Sequence, residues 1–147
     1  MKINTKIRYG VRTMVELALE KNRNGIFQKE ISKNQDISIK YLDQIISSLK
    51  ASGLIQNAGG RKSGYLLSRK PEKISVYDIY KAFESDLRII DCLGSNSTCS
   101  KEHQCAAQEF WTGLNEHVIN YLESETLDNL AAKQEEINKN TVNMFYI

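Results

Sequence analysis

Two helical patterns separated by a short break occupy residues 28–49, and they constrain the fold more than any other part of the sequence. In the first pattern Ile31 faces inward, and the break falls at residues 35–37. Ser38 can cap the second helix, because its hydroxyl can accept a hydrogen bond from the first turn. Four apolar residues then recur at the spacing of one buried helix face: Leu42, Ile45, Ile46 and Leu49. This arrangement predicts a helix-turn-helix.

The second of these helices carries hydrogen-bonding and cationic side chains away from its apolar face. Such side chains suit phosphates and base edges in a DNA major groove. Helical hairpins with polar outer faces also occur in proteins that bind no nucleic acid, so this pattern alone leaves both interpretations open. The predicted DNA contacts are Ser38, Lys40, Tyr41, Asp43 and Gln44, together with Gln28 from the preceding helix and Arg8 from the first helix of the chain.

Two short strands, predicted at residues 54–56 and 65–67, follow the second helix directly. The loop between them contains three glycines and two adjacent cations. A basic two-stranded ribbon after a recognition helix is typical of a wing, which can follow a DNA backbone or enter a minor groove. A nucleotide-binding loop is not supported, since no Gly-Lys-Ser/Thr signature is present. The predicted wing contacts are Gly59, Gly60, Arg61 and Lys62.

The charge distribution separates the chain into two halves. Residues 1–70 contain fourteen Lys and Arg against five Asp and Glu, whereas residues 71–147 contain six against thirteen. A basic half beside an acidic half favours a polyanion as partner, although charged runs can also be merely solvated surface. Combined with the hairpin helices and the wing, the basic half predicts binding to double-stranded DNA.

All three cysteines, Cys92, Cys99 and Cys105, fall within fourteen residues of a polar, glycine-containing segment. Thiolates select zinc, copper(I) or iron-sulfur centres, so a shared metal centre is one interpretation. Three cysteines clustered by chance as small core residues are the alternative. Leu93 is the only strong hydrophobe between them, which fits a core poorly. With His103 the segment could also supply the three sulfurs and one nitrogen of a structural zinc site.

No apolar run in the 147 residues approaches membrane-spanning length, and no hydrophobic signal core follows the first residues. We therefore expect a cytoplasmic protein with no membrane partner. Cysteines are kept reduced in that compartment, and three cannot all pair with one another, so ligation or redox sensing is favoured. No paired catalytic carboxylates or activated nucleophile stand out, which predicts a protein that is not an enzyme.

Further helices are predicted on either side of these motifs. The first can be capped by Asn4 or Thr5, and a glycine-containing run at residues 22–25 is expected to end it. Its predicted buried stripe is Ile7, Val11, Met14, Val15 and Ala18. Ser75 opens a shorter helix with a capping-box-like start. Beyond Leu130 we predict a frayed or disordered tail.

A long amphipathic helix is predicted from Ala106 to about Ser124. Its apolar residues could pack lengthwise on a second helix, either within the chain or in a partner subunit. A chain of this size has few elements left to bury them, so we predict a homodimer formed through this helix. The predicted dimer contacts are Trp111, Leu114, Val118 and Tyr121.

The sequence resembles the iron-sulfur cluster-binding winged-helix transcriptional regulators of the IscR/NsrR type. The resemblance covers about residues 1–132, and it is carried by residues 6–11, 37–44, 49–55 and 64–67 and by the cysteine segment followed by Trp111. It implies a dimeric regulator in which Cys92, Cys99 and Cys105 hold a cluster, for which 2Fe-2S is expected in preference to 4Fe-4S. Cluster occupancy would then control operator binding. An iron-sulfur electron carrier is a further alternative, but it has no need of a basic wing.

Two departures from this family pattern leave the fourth cluster ligand open. Members similar to the cluster-biogenesis regulator carry a histidine three residues after the third cysteine, where this chain has Gln108. Members similar to the nitric oxide sensor use an acidic residue in the first helix of the partner subunit, where this chain has Arg8. The candidates are Gln108, Glu109, His103 and a residue of the other subunit.

The predicted fold class is therefore mainly α: a winged helix-turn-helix domain with a small two-stranded wing, plus a long dimerisation helix. Residues 1–84 would form the DNA-binding domain, 85–105 the cluster-binding loop, 106–132 the dimerisation region and 133–147 the tail. Because a dimer presents two recognition helices about one DNA turn apart, the operator should be an imperfect palindrome.

Overall fold

A computed structural model describes residues 3–60, 63–94, 99–101 and 104–144, and it confirms the mainly helical winged fold. The helices, in chain order, are α1 Thr5–Leu19, α2 Gln28–Gln35, α3 Ile39–Ala51, α4 Val76–Lys81, α5 Ala106–Ser124 and α6 Leu127–Met144. The strands are β1 Ile55–Asn57 and β2 Tyr65–Leu67, and short 3-10 turns span Pro71–Lys73 and Asp91–Leu93. No helix in the described part of the chain is long and apolar enough to cross a bilayer.

The ends of the first three helices follow from local hydrogen bonds. The side chain of Asn4 accepts from the Ile7 N–H at 2.9 Å, and Ser38 accepts from the Tyr41 N–H at 3.3 Å. Asp36, between α2 and α3, has a φ of 53°, the left-handed conformation that Asp tolerates better than most residues. Both predicted caps and the predicted break are thereby confirmed.

The core forms where the helix-turn-helix packs against α1, α4 and the start of α6. Three residues of the predicted α3 stripe, Leu42, Ile45 and Leu49, are fully buried in it, and the fourth, Ile46, is 4% exposed. The α1 prediction was partly wrong, because Val11, Val15 and Ala18 are only half-buried and the helix ends at Leu19. The buried face of α1 lies to one side of the predicted stripe and consists of Ile7, Gly10, Thr13, Met14 and Leu17. Phe83 packs over this face at Gly10.

The two wing strands are antiparallel, with Ile55 opposite Leu67 and Asn57 opposite Tyr65. Ile26 adds a third short pairing by exchanging backbone hydrogen bonds with Tyr65 at 3.1 and 2.9 Å. This pairing requires Gly25, whose φ is +67° and where an added Cβ would lie 2.4 Å from the Tyr65 carbonyl oxygen. The glycine predicted as a helix terminator therefore holds the wing against the body of the domain.

The segment after Leu130 is helical to Met144, so the prediction of a frayed or disordered tail was wrong for these residues. Leu127 and Ala131 are buried one turn apart, at 0% and 7% exposure, where α6 packs on α1. Backbone hydrogen bonds from Leu127 to Ile74 and from Val76 to Glu125, both 2.8 Å, fix the α5–α6 turn against the start of α4. The highly polar sequence hid this helix, because few of its residues are buried.

Candidate DNA-binding surface and cysteine segment

The predicted recognition residues lie together on the outer side of α3. Ser38, Lys40, Asp43 and Gln44 are exposed, as expected from the opposite placement of the buried stripe. A large apolar residue, Ile39, is also exposed in the first turn of this helix at 47%. The surface therefore offers hydroxyl, ammonium, carboxylate and amide groups around an apolar side chain that the sequence did not single out.

Gln28 connects α2 to this surface. Its side-chain amide donates a hydrogen bond to the carboxylate of Asp43 and a longer one, at 3.4 Å, to the Ile39 carbonyl. The amide restrains the position of Asp43 while leaving the second carboxylate oxygen able to accept from a base. Gln28 therefore positions Asp43 on the outer side of α3, a contact that sequence spacing could not indicate.

Tyr41 is half-buried, unlike the exposed Ser38, Lys40, Asp43 and Gln44. Its ring packs edge-on against Tyr9 with centroids 5.8 Å apart, and the Arg12 guanidinium lies 5.2 Å from the Tyr9 ring. Arg12 also donates to the Gln35 carbonyl at 2.6 Å, so it closes the C-terminal end of α2. Arg8, by contrast, is exposed on α1. Tyr41 is thus half-buried by packing, whereas Arg8 is available to phosphate.

The loop of the wing contains two left-handed glycines, Gly59 with φ +121° and Gly60 with φ +76°. The Ser63 hydroxyl accepts from the Gly59 N–H at 3.1 Å and donates to the Gly60 carbonyl at 3.2 Å. Arg61 and Lys62, the predicted wing cations, lie outside the described residues.

The end of the wing is joined to α4 by an ion pair that the sequence did not predict. Arg69 lies 3.2 Å from Asp78, which also accepts from the Ser75 N–H and pairs with Lys81. Burial alone would raise the pKa of Asp78, but hydrogen bonds from Ser75 and Lys81 outweigh it and lower that pKa. Asp78 thus remains ionised, capping α4 while holding the strand that leaves the wing.

The three cysteines occupy different surroundings. Cys92 is half-buried in the 3-10 turn, Cys105 is half-buried directly before α5, and Cys99 is exposed. Across the ranges described above, no group of three His, Cys, Asp or Glu side chains could hold a metal ion. The thiol donors fit an iron-sulfur cluster or zinc by chemistry, although the described arrangement does not bring three donors together. His103 lies outside the described residues.

Side chains of α5 hold the segment that leads into these cysteines. Asn115 accepts from the Ile89 N–H at 3.0 Å and donates to the Leu87 carbonyl at 3.1 Å. The Gln108 amide donates to the Cys92 carbonyl at 3.3 Å, while Glu109 is exposed. Gln108 therefore contacts the backbone of a candidate ligand, and Asn115 is an anchor that sequence spacing alone could not reveal.

The predicted dimer stripe is divided between two environments. Leu114 and Tyr121 are exposed at 42% and 65%, and Phe110 beside them at 64%. Val118 instead packs against the intrachain cluster of Ile7, Tyr80 and Leu87, and Trp111 is half-buried. We call Phe110, Leu114 and Tyr121 the apolar face of α5. Phe110, omitted from the predicted contacts, belongs to this face, whereas Val118 belongs at least in part to the core.

Comparison with known proteins agrees with this architecture. The model of the Rrf2 family, described as iron-dependent transcriptional regulators, matches residues 3–133. The chain is 31% identical to the transcriptional regulator CymR of Bacillus subtilis over 147 residues, which is 100% of both chains. It is 30% identical to the regulator IscR of Pectobacterium atrosepticum over 138 residues, which is 94% of this chain and 84% of that one.

Comparison with a solved structure also finds similarity to a transcriptional regulator. The structure of B. subtilis CymR, titled as that of the global cysteine regulator, superposes with a TM-score of 0.78 and 30% sequence identity. The match covers 90% of this chain and 98% of that one. These relatives are regulators rather than enzymes, in agreement with the prediction. The family model matches most of a chain that has a winged helix-turn-helix and a polar outer face on α3. The protein therefore belongs to the Rrf2 family of DNA-binding transcriptional regulators.

Proposed function

We propose that the protein acts in the cytoplasm as a homodimer that binds an imperfect palindromic operator, under the control of an iron-sulfur cluster held by Cys92, Cys99 and Cys105. The observation that carries the DNA-binding part is the exposed polar surface of α3, placed beside a basic wing in an Rrf2-family chain. The apolar face of α5 supports the dimer, because burying three large side chains twice would stabilise the association.

Wing and recognition helix should contribute differently to DNA binding. Replacing Arg61 and Lys62 with glutamine should weaken binding to every DNA sequence, because these cations would neutralise phosphates or enter a minor groove. If all four cations of a dimer contact phosphate, the slope of log K against log salt should fall in magnitude by about 3.6. Titrations at several salt concentrations measure this slope.

Lys139→Gln is the control for the wing variant, since Lys139 is exposed on α6 and loses one positive charge per protomer, where the wing variant loses two. It should leave the salt slope unchanged. Gln44→Ala should instead change the preference between operator sequences. A wild-type dimer without salt-sensitive affinity for any duplex would contradict the proposed DNA binding.

A 2Fe-2S cluster is the preferred cofactor, because three thiols in one polar segment suit such a centre and IscR is among the relatives. When bound, the cluster would supply redox chemistry and reactivity toward small oxidants. Gln108, Glu109, His103 or a residue of the other subunit would complete its ligand set. Gln108 also stabilises the turn at Cys92 through its hydrogen bond to that carbonyl.

Anaerobic purification, followed by an absorbance spectrum and iron and sulfide counts, tests the cluster. Alanine at any one of Cys92, Cys99 and Cys105 should abolish the visible absorbance, because each thiolate is expected to be a ligand. His103→Ala should shift the spectrum or leave it unchanged. A full cluster that survives the loss of any one cysteine would contradict the ligand assignment.

A regulator that responds to thiol status without a cluster is the second candidate. It is favoured by the end-to-end match to CymR and by the absence of an assembled three-donor site among residues 3–60, 63–94, 99–101 and 104–144. Anaerobically purified protein without iron or sulfide, whose DNA affinity changes on thiol oxidation, would select it. Colourless protein with stoichiometric zinc would instead identify a structural zinc site.

A further inference from the structure

We propose that Ile39 is a specificity-determining residue that contacts the methyl group of a thymine in each half of the operator. This inference rests on the proposed DNA binding and goes beyond it by naming the base chemistry that one residue recognises. It starts from an apolar side chain in a place where the fold itself does not need one.

Ile39 is 47% exposed, whereas Leu42, Ile45, Ile46 and Leu49 of the same helix are at most 4% exposed. An isoleucine in the first turn of an exposed helix face gains little from burial, and its β-branch lowers helix propensity slightly. Single exposed hydrophobes are common, but this one lies at the N-terminal end of a recognition helix. That end is the part of such a helix that meets base edges.

Polar groups surround Ile39 and hold the turn that carries it. The Ser38 hydroxyl caps the helix by accepting from the Tyr41 N–H, and the Gln28 amide donates to the Ile39 carbonyl at 3.4 Å. The same amide holds Asp43, which is exposed one turn further along the same side of α3. Ile39 is thus presented on a positioned backbone between groups that can accept hydrogen bonds from bases or contact phosphate.

The chemistry of the major groove selects the partner of such a side chain. The C5-methyl of thymine is the one apolar group among the four bases on that edge, where the other groups are hydrogen-bond donors and acceptors. The basic front half of the chain favours DNA over an apolar protein partner at this surface. Neighbouring acceptors such as Asp43 would bond amino groups on adjacent bases, so the methyl contact is distinct from theirs.

Deoxyuridine provides the test, because its base, uracil, differs from thymine only by the absence of this methyl group. Duplexes are first enriched from a random library with the wild-type dimer, and each thymine is then replaced in turn by deoxyuridine. For the wild type, the Kd should rise about fourfold when the contacted methyl is removed from one half-site and about fifteenfold when it is removed from both, as expected from about one buried methyl group per contact.

Ile39→Ala should bind the thymine and deoxyuridine duplexes equally at that position, because the side chain that meets the methyl is gone. Ile39→Val, which retains a branched side chain, should show an intermediate ratio. Ile137→Ala is the matched control, since Ile137 is 57% exposed on α6. It should keep the wild-type ratio. Ile39→Ala in the protein and loss of the methyl group in the DNA together form a double-mutant cycle, which isolates the contact between the side chain and the methyl group.

Two results would overturn the assignment. One is wild-type protein that binds every thymine and deoxyuridine pair with equal affinity, and the other is Ile39→Ala protein that keeps the wild-type ratio at the sensitive position. Both leave DNA binding itself intact, so they refute the role of Ile39 and not the proposed function. Failure of the wild-type dimer to enrich any duplex would refute the proposed DNA binding, and the methyl contact with it.

Discussion

Replacement of Gly25 with alanine should lower the free energy of unfolding by about 3 kcal/mol or more, within the range of backbone strain combined with overpacking. The added Cβ would lie 2.4 Å from the carbonyl oxygen and 2.8 Å from the carbonyl carbon of Tyr65. Both are backbone atoms, so the strand must move, and the bridge from Ile26 to β2 would be broken. Urea unfolding at fixed protein concentration measures the loss.

Gly53 is the matched control for Gly25, because its φ of +71° is nearly the same but nothing lies within 4 Å of an added Cβ. Gly53→Ala should cost about 1 kcal/mol, the penalty of the left-handed conformation alone. The difference between the free energies of unfolding lost in the two variants measures the cost of the contact between the added Cβ and the wing strand. Equal destabilisation would show that the wing is not held at Gly25.

The second large effect is expected at the apolar face of α5. Phe110→Glu with Leu114→Glu should weaken the dimer by at least about a hundredfold, because burial of each such side chain contributes about 1.5–3 kcal/mol. The four side chains lost in a dimer are replaced by like charges. Unfolding of each protomer should change little, since both residues are exposed within the chain at 64% and 42%. Sedimentation equilibrium measures the association.

The control away from this face is Val142→Glu on α6, which introduces one carboxylate per protomer, against two in the double variant, at a residue that is 55% exposed. It should leave the dimer intact. Val118→Glu should instead reduce the stability of the protomer, because Val118 packs against the cluster of Ile7, Tyr80 and Leu87. A dimer that is unaffected by the double change at Phe110 and Leu114 would place the interface elsewhere.

Local periodicity was enough to predict the helix-turn-helix and its outer surface. The buried stripe of α3 repeats every three or four residues, and Ser38 caps the helix through a contact three residues away. Both signals lie within one helix, so no knowledge of distant residues is needed to detect them. The strand pairing of the wing followed equally from two short apolar runs around a glycine-rich loop.

Tertiary contacts decided the features that depend on distant parts of the chain. Gln28 reaches Asp43 across 15 residues, and Asn115 reaches Leu87 across 28. The 3.6-residue repeat of α5 could not distinguish the side that packs on α4 from the side that is exposed, because both sides are apolar.

The sequence alone therefore determined the helix-turn-helix, the wing and the presence of three thiols in one segment. The three-dimensional packing decided the contacts of Gln108, the division of the α5 stripe and the helical state of α6. The physical reason is range: caps and periodic stripes are short-range properties of the chain, whereas the burial of a weakly apolar helix depends on which surface lies opposite it.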